Sequence, residues 1–148
     1  MGKFFEIKKT GFTLTELTFV VLFIGIFIVL LAPFVSKIRH KAKIIACEEN
    51  LQKIGLGLDL YASENQGKFP PDLNELLKSG YVADEKVFDC PSSPHIGSTK
   101  EPDYTYTAGY TILSPSDTVI VCDDVVNHKD GKHVLYISGD IKWEERMR

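Results

Sequence analysis

The chain has 148 residues and a net charge of −3 from 17 basic and 20 acidic side chains, with 44% apolar and 11% aromatic content. That length suits one domain and disfavours a multi-domain enzyme, and the aromatic and apolar content excludes disorder. No basic patch of the kind that binds phosphates is present, so nucleic acid is not expected as a partner. The basic residues gather at the two ends of one apolar run, with Lys3, Lys8 and Lys9 before it and Lys37, Arg39, Lys41 and Lys43 after it.

That run, Leu17 to Ser36, carries no charge. As a helix it rises about 30 Å, the thickness of a hydrocarbon core, and predicts a single membrane-spanning segment. A cleaved secretory signal has an apolar core of about 7–15 residues ending in a small-x-small site. This run is longer, and Leu30-Leu31-Ala32-Pro33-Phe34-Val35 offers no such site. Glu16 stands at the front edge of the run. A carboxylate in or near hydrocarbon costs at least ~2–3 kcal/mol unless paired, so Glu16 either marks the headgroup boundary or needs a cationic partner.

The stretch Lys8-Lys9-Thr10-Gly11-Phe12-Thr13-Leu14-Thr15-Glu16, with the apolar span and Pro33 behind it, resembles the processing site of type IV pilins and of the pseudopilins of type II secretion. The resemblance implies a leader, residues 1–11, removed by a prepilin peptidase between Gly11 and Phe12, and N-methylation of Phe12. It also implies a leader on the cytoplasmic side of the inner membrane, a C-terminal domain in the periplasm, and assembly through the N-terminal helix. The near-balanced flanking charges could not set that orientation by themselves. The chemistry is coherent from below: cleavage frees a cationic amine on Phe12, and Glu16 of one subunit can pair with the amine of its neighbour where an unpaired charge is penalised. Pro33 cannot donate to the helix ladder and is expected to kink or melt the span locally.

Beyond the span, residues 12–36, the helical pattern continues from 37 to about 65. Ile44, Cys47, Leu51, Ile54, Leu58 and Tyr61 step by three and four residues and form one apolar stripe, the face to be packed on a core. Asn65-Gln66-Gly67 supplies the stop. Gly55 and Gly57 inside this helix each cost ~1 kcal/mol against Ala. Close approach of a sheet or loop explains them, and plain tolerance is the alternative. Residues 71–78 read as a short helix with Gly80 as its stop, and residues 83–102 as a loop. Strands are expected at 104–107, 110–113, 118–122, 133–137 and 140–144, the last two joined by a hairpin turn at Ser138-Gly139. The expected fold is α+β and type IV pilin-like: a long N-terminal helix whose second half packs on a small antiparallel sheet, with residues 37–148 as the periplasmic or extracellular domain.

Residues 46–56, Tyr61-Ala62 and 65–70 are similar to pilin-like chains with the layout of the major pseudopilin, as is the C-terminal stretch 127–143. Relatives often read Asp-Gly-His-Val where this chain has Ser138-Gly139-Asp140-Ile141, so no role is carried over to the missing Asp and His.

Three cysteines cannot all pair within one chain. Cys47 sits in the helical stripe and reads as a buried thiol. Cys90 in a loop and Cys122 in a strand give the first pairing, Cys90–Cys122, with Cys47–Cys90 and no bridge as alternatives. The absence of paired Cys spacing and the scattered histidines argue against zinc. Asp123, Asp124, Asp130 and Asp140 read first as solvated turn acids. The major pseudopilins hold calcium in a comparable loop, so the resemblance implies Ca2+ at Asp123, Asp124 and Asp130 as the alternative. His128 and His133 flank Asp130, but no nucleophile elbow or phosphate loop accompanies them, and an enzyme is not expected. Tyr104, Tyr106 and Tyr110 read as packing residues.

The sequence thus points to a structural subunit of a type IV pilus-like filament or secretion pseudopilus. Its expected partners are prepilin peptidase, copies of itself and other pilins or pseudopilins, the inner-membrane assembly platform and inner-membrane lipid. The alternative is an uncleaved, membrane-anchored periplasmic domain that binds a ligand or partner.

Overall fold

The computed structural model describes residue 11 and residues 13–94, 96–124, 127–128 and 130–146. They fall in two compact units, one ending at Arg39 and one beginning at His40. Leader residues 1–10 and Phe12, the expected new N-terminus, lie outside the described residues.

Helix α1 runs Leu14–Glu64. Thr13 starts it: its hydroxyl accepts from the Glu16 N–H at 3.3 Å. Thr13 followed three residues later by Glu16 is the sequence form of a capping box, and the Thr13 hydroxyl lies 3.5 Å from Glu16 Oε2, which it can donate to. In the first unit every described side chain is exposed, including all the apolar ones from Leu14 to Ile38. The most apolar stretch has a mean hydropathy of 2.9, and the helix is long and apolar enough to cross a membrane. Pro33 lies inside α1 without ending it; the Ser36 hydroxyl donates to the Pro33 carbonyl at 2.9 Å. The local melting expected at Pro33 is therefore not present in this chain by itself.

In the second unit α1 buries Cys47, Leu51, Ile54, Gly57, Leu58 and Ala62, while Ile44 and Tyr61 are half-buried. Each fully buried large aliphatic is worth about 1.5–3 kcal/mol, so this stripe holds the helix on the domain. The glycines within it answer to close approach. A Cβ on Gly55 would stand 3.2 Å from Leu135 Cδ2, and one on Gly57 would stand 3.0 Å from Val82 Cγ2. The helix ends where the sequence said: Gln66 and Gly67 turn to positive φ, and the Gly67 N–H returns to the Ala62 carbonyl at 2.8 Å.

Helix α2, Leu73–Lys78, is capped by Asp72, whose carboxylate accepts from the Glu75 N–H at 2.9 Å. The segment expected as loop contains a 3-10 turn, Glu85–Phe88, that inserts Val87 and Phe88 into the core. Four strands follow: β1 Tyr104–Tyr106, β2 Val119–Asp123, β3 Gly131–Tyr136 and β4 Ile141–Glu145. They pair in sequence order, all antiparallel. The expected strand at 110–113 is absent from the sheet. Thr111 makes only an isolated bridge with Lys68, and Ile112 and Leu113 are exposed, because no neighbouring strand offers that segment a ladder. Tyr104 is buried, and the Tyr106 hydroxyl donates to the Pro70 carbonyl at 2.6 Å, so both are packing residues.

Candidate functional site

Strand alternation decides the fate of the acidic residues at the end of β2. Val121 and Asp123 point to the core and Cys122 to the other face. Asp123 is therefore a buried acid, 1% exposed, and not a solvated turn residue. Just beyond, Asn127 and His128 fold back over it. The Asn127 N–H bonds the Asp124 carbonyl at 2.9 Å, and its side-chain amide donates to Asp123 Oδ1 at 3.1 Å. His128, fully buried, brings Nε2 to 2.8 Å from Asp123 Oδ2 and to 3.5 Å from Cys90 Sγ.

Cys90 follows the 3-10 turn and its capping residue Asp89, and is held by its backbone, whose N–H donates to Asp103 Oδ2 at 2.8 Å. Cys47 arrives from α1. One donor atom each from Cys47, Cys90, Asp123 and His128 lies within 4.8 Å of the other three. On the β3 side His133 Nδ1 stands 4.0 Å from Asp123 Oδ2, and its Nε2 stands 3.9 Å from Glu48. The Trp143 ring packs edge-on against His133, with centroids 4.7 Å apart, and closes the site from β4.

Electrostatics follow from this crowding. Burial works against a charged His128, but Asp123 and then Cys90 outweigh it and push its pKa up to about 9. Burial holds His133 below its ordinary value despite Glu48 and Asp123. Contact between the two thiols splits them. Cys90 falls to about 6, through Cys47 first and His128 after it, against burial. Cys47 rises well above the thiol range, through Cys90 first and then burial.

The expected Cys90–Cys122 bridge is not formed in this arrangement. All three thiols are free, Cys90 has Cys47 as its neighbour, and Cys122 points to the opposite face of β2 from Asp123. The three acids of the calcium alternative are not gathered. Asp123 faces inward, Asp124 is exposed, and Asp130 is exposed beside His40 Nε2 at 3.3 Å. The acid that meets both His128 and His133 is Asp123, not Asp130. Sequence reasoning missed the joint role of Cys47 and His128 because the four donors come from separate elements with no repeating spacing. Gly11 and Glu16 are exposed at the start of the first unit and Pro33 lies within α1; Phe12 is outside the described residues.

Comparison of the chain with protein-family models, curated proteins and solved structures finds no match.

Proposed function

We propose that this chain is a structural, non-enzymatic subunit of a type IV pilus-like filament or type II secretion pseudopilus. It is inserted in the inner membrane as a precursor, cut between Gly11 and Phe12 by a prepilin peptidase, methylated on Phe12, and assembled through its N-terminal helix with copies of itself and related subunits on a membrane platform. The observation that carries this reading is the first unit of the chain. Its helical residues expose every apolar side chain from Leu14 onward, while α1 continues beyond them as the core helix of a folded domain. Such a surface has to be covered by lipid or by the same surface of other subunits. The Gly11-Phe12-Thr13-Leu14-Thr15-Glu16 motif favours a helix that uses both in turn.

Glu16 is the test. In the free chain its side chain accepts, among the described residues, only from the Thr13 hydroxyl, at 3.5 Å, which a glutamine oxygen does as well. Pairing with a neighbour's amine requires the charge. Glu16→Gln is therefore expected to leave membrane insertion and leader removal intact and to abolish filaments, read by cross-linking and electron microscopy. Filaments of normal yield from that variant would remove the pairing argument.

A further inference from the structure

We propose that Cys47, Cys90, Asp123 and His128 form a structural site for zinc. The four side chains come from α1, the segment after the 3-10 turn, the end of β2 and the β2–β3 connection, and each is 0% or 1% exposed. Their donor atoms all lie within 4.8 Å of one another. Two sulfurs, an imidazole and a carboxylate are zinc donors; calcium takes oxygen ligands only.

The geometry supports one shared ion. With Zn–S about 2.3 Å and Zn–N about 2.0–2.1 Å, the S···N edge of a tetrahedron is about 3.5 Å, and Cys90 Sγ lies 3.5 Å from His128 Nε2. The Asp123–His128 approach of 2.8 Å is shorter than such an edge and has to open slightly.

Asp123 supplies an independent sign. Its Oδ1 is held by the Asn127 amide, and its buried Oδ2 faces His128 Nε2 at 2.8 Å, beside the two sulfurs. A buried carboxylate is costly unless a cation meets it, and zinc is one that the two sulfurs and the imidazole can hold beside it. One oxygen oriented by a neighbouring amide and the other directed at the donor cluster is how ligating carboxylates are held.

Binding leaves the ion on two thiolates, one carboxylate and one neutral imidazole, any proton carried by a sulfur or by His128 Nε2 passing to solvent, with no open position for substrate. The ion therefore ties α1 to the sheet. The same two sulfurs are the competitors for a Cys47–Cys90 disulfide, which would remove both thiolate ligands.

The site stands apart from the filament reading and is tested on the full-length chain, purified in detergent without chelator. Metal analysis is expected to find about one zinc per chain. Thiol titration after denaturation with chelator should find all three cysteines reduced. Cobalt(II) added to the stripped chain should give thiolate charge-transfer bands and the strong visible bands of a tetrahedral ion. Cys90→Ser is expected to lose the metal and Cys122→Ser to keep it. Should Cys90→Ser not fold, chelation of the unaltered chain decides: its Tm should fall and recover with zinc. A Cys47–Cys90 disulfide in the purified chain overturns the proposal. So does a reduced chain that takes up neither zinc nor cobalt, or one whose Tm ignores the chelator.

Discussion

Replacing Asp123 by alanine tests whether the polar cluster is part of the core. In the metal-free chain the Asp123 carboxylate meets His128 Nε2 at 2.8 Å and the Asn127 amide at 3.1 Å, with both Asp123 and His128 side chains fully buried. The imidazole pKa is held at about 9 by that neighbour and by Cys90, so it is a cation at neutral pH. Removing one member of a buried charge pair costs about 3–5 kcal/mol, and the stranded Asn127 donor adds roughly 1 kcal/mol. At ~2–4 °C per kcal/mol for a chain of this size, Tm should fall by about 8–24 °C. Asp130→Ala is the matched control: its carboxylate is 72% exposed and faces a 41% exposed His40, a pair worth about 1 kcal/mol or less. Circular dichroism melts of the chelated, detergent-solubilised chain give both numbers. Equal small shifts for the two variants would refute the burial of Asp123 and return it to the solvated turn that its sequence neighbourhood suggests.

Gly57→Ala should destabilise by up to about 2 kcal/mol in a denaturant titration, because the crowding against Val82, about 1–3 kcal/mol, outweighs the ~1 kcal/mol gained in helix propensity. Gly55→Ala should be close to neutral, since only the tip of Leu135 has to move. In metal-free Cys90→Ser, stability should fall as pH rises above about 6.5: Asp123 still raises the His128 pKa, which stabilises below its unfolded value and loses that contribution as pH passes through the folded one. The unaltered chain should be flatter over the same range. There the depressed Cys90 pKa, about 6, contributes stability that grows with pH and offsets His128; equal slopes in the two chains would contradict the opposition. Gly11→Val should stop leader removal, and a normal precursor-to-mature shift on a gel would refute the assigned cut.

The long helix was legible from end to end because its signals are local: the charge-free run, the three-four stripe from Cys47 to Leu58, and the Asn65-Gln66-Gly67 stop. Most of the sheet was legible from alternation, to within two residues at the strand ends. Residues 110–113 misled because an apolar, β-branched stretch predicts extension without revealing whether a partner strand exists; here Ile112 and Leu113 remain exposed. The 3-10 turn was hidden for a related reason, since Val87 and Phe88 are too few to show a period. The polar cluster was least legible. Whether Asp123 points inward depends on the register of β2 against β3, which is interrupted by an irregularity between Val119 and Val121. Counting alternation from the wrong residue places Cys122 inside and Asp123 in water.

The central claim, that the exposed apolar half of α1 is a processed assembly helix, is tested most directly by the intact mass and N-terminal peptide of the protein extracted from its native membrane. A processed subunit begins at Phe12 and carries one added methyl group, and that is the expected result. A chain that still begins at Met1 would contradict it and leave a permanent membrane anchor in its place.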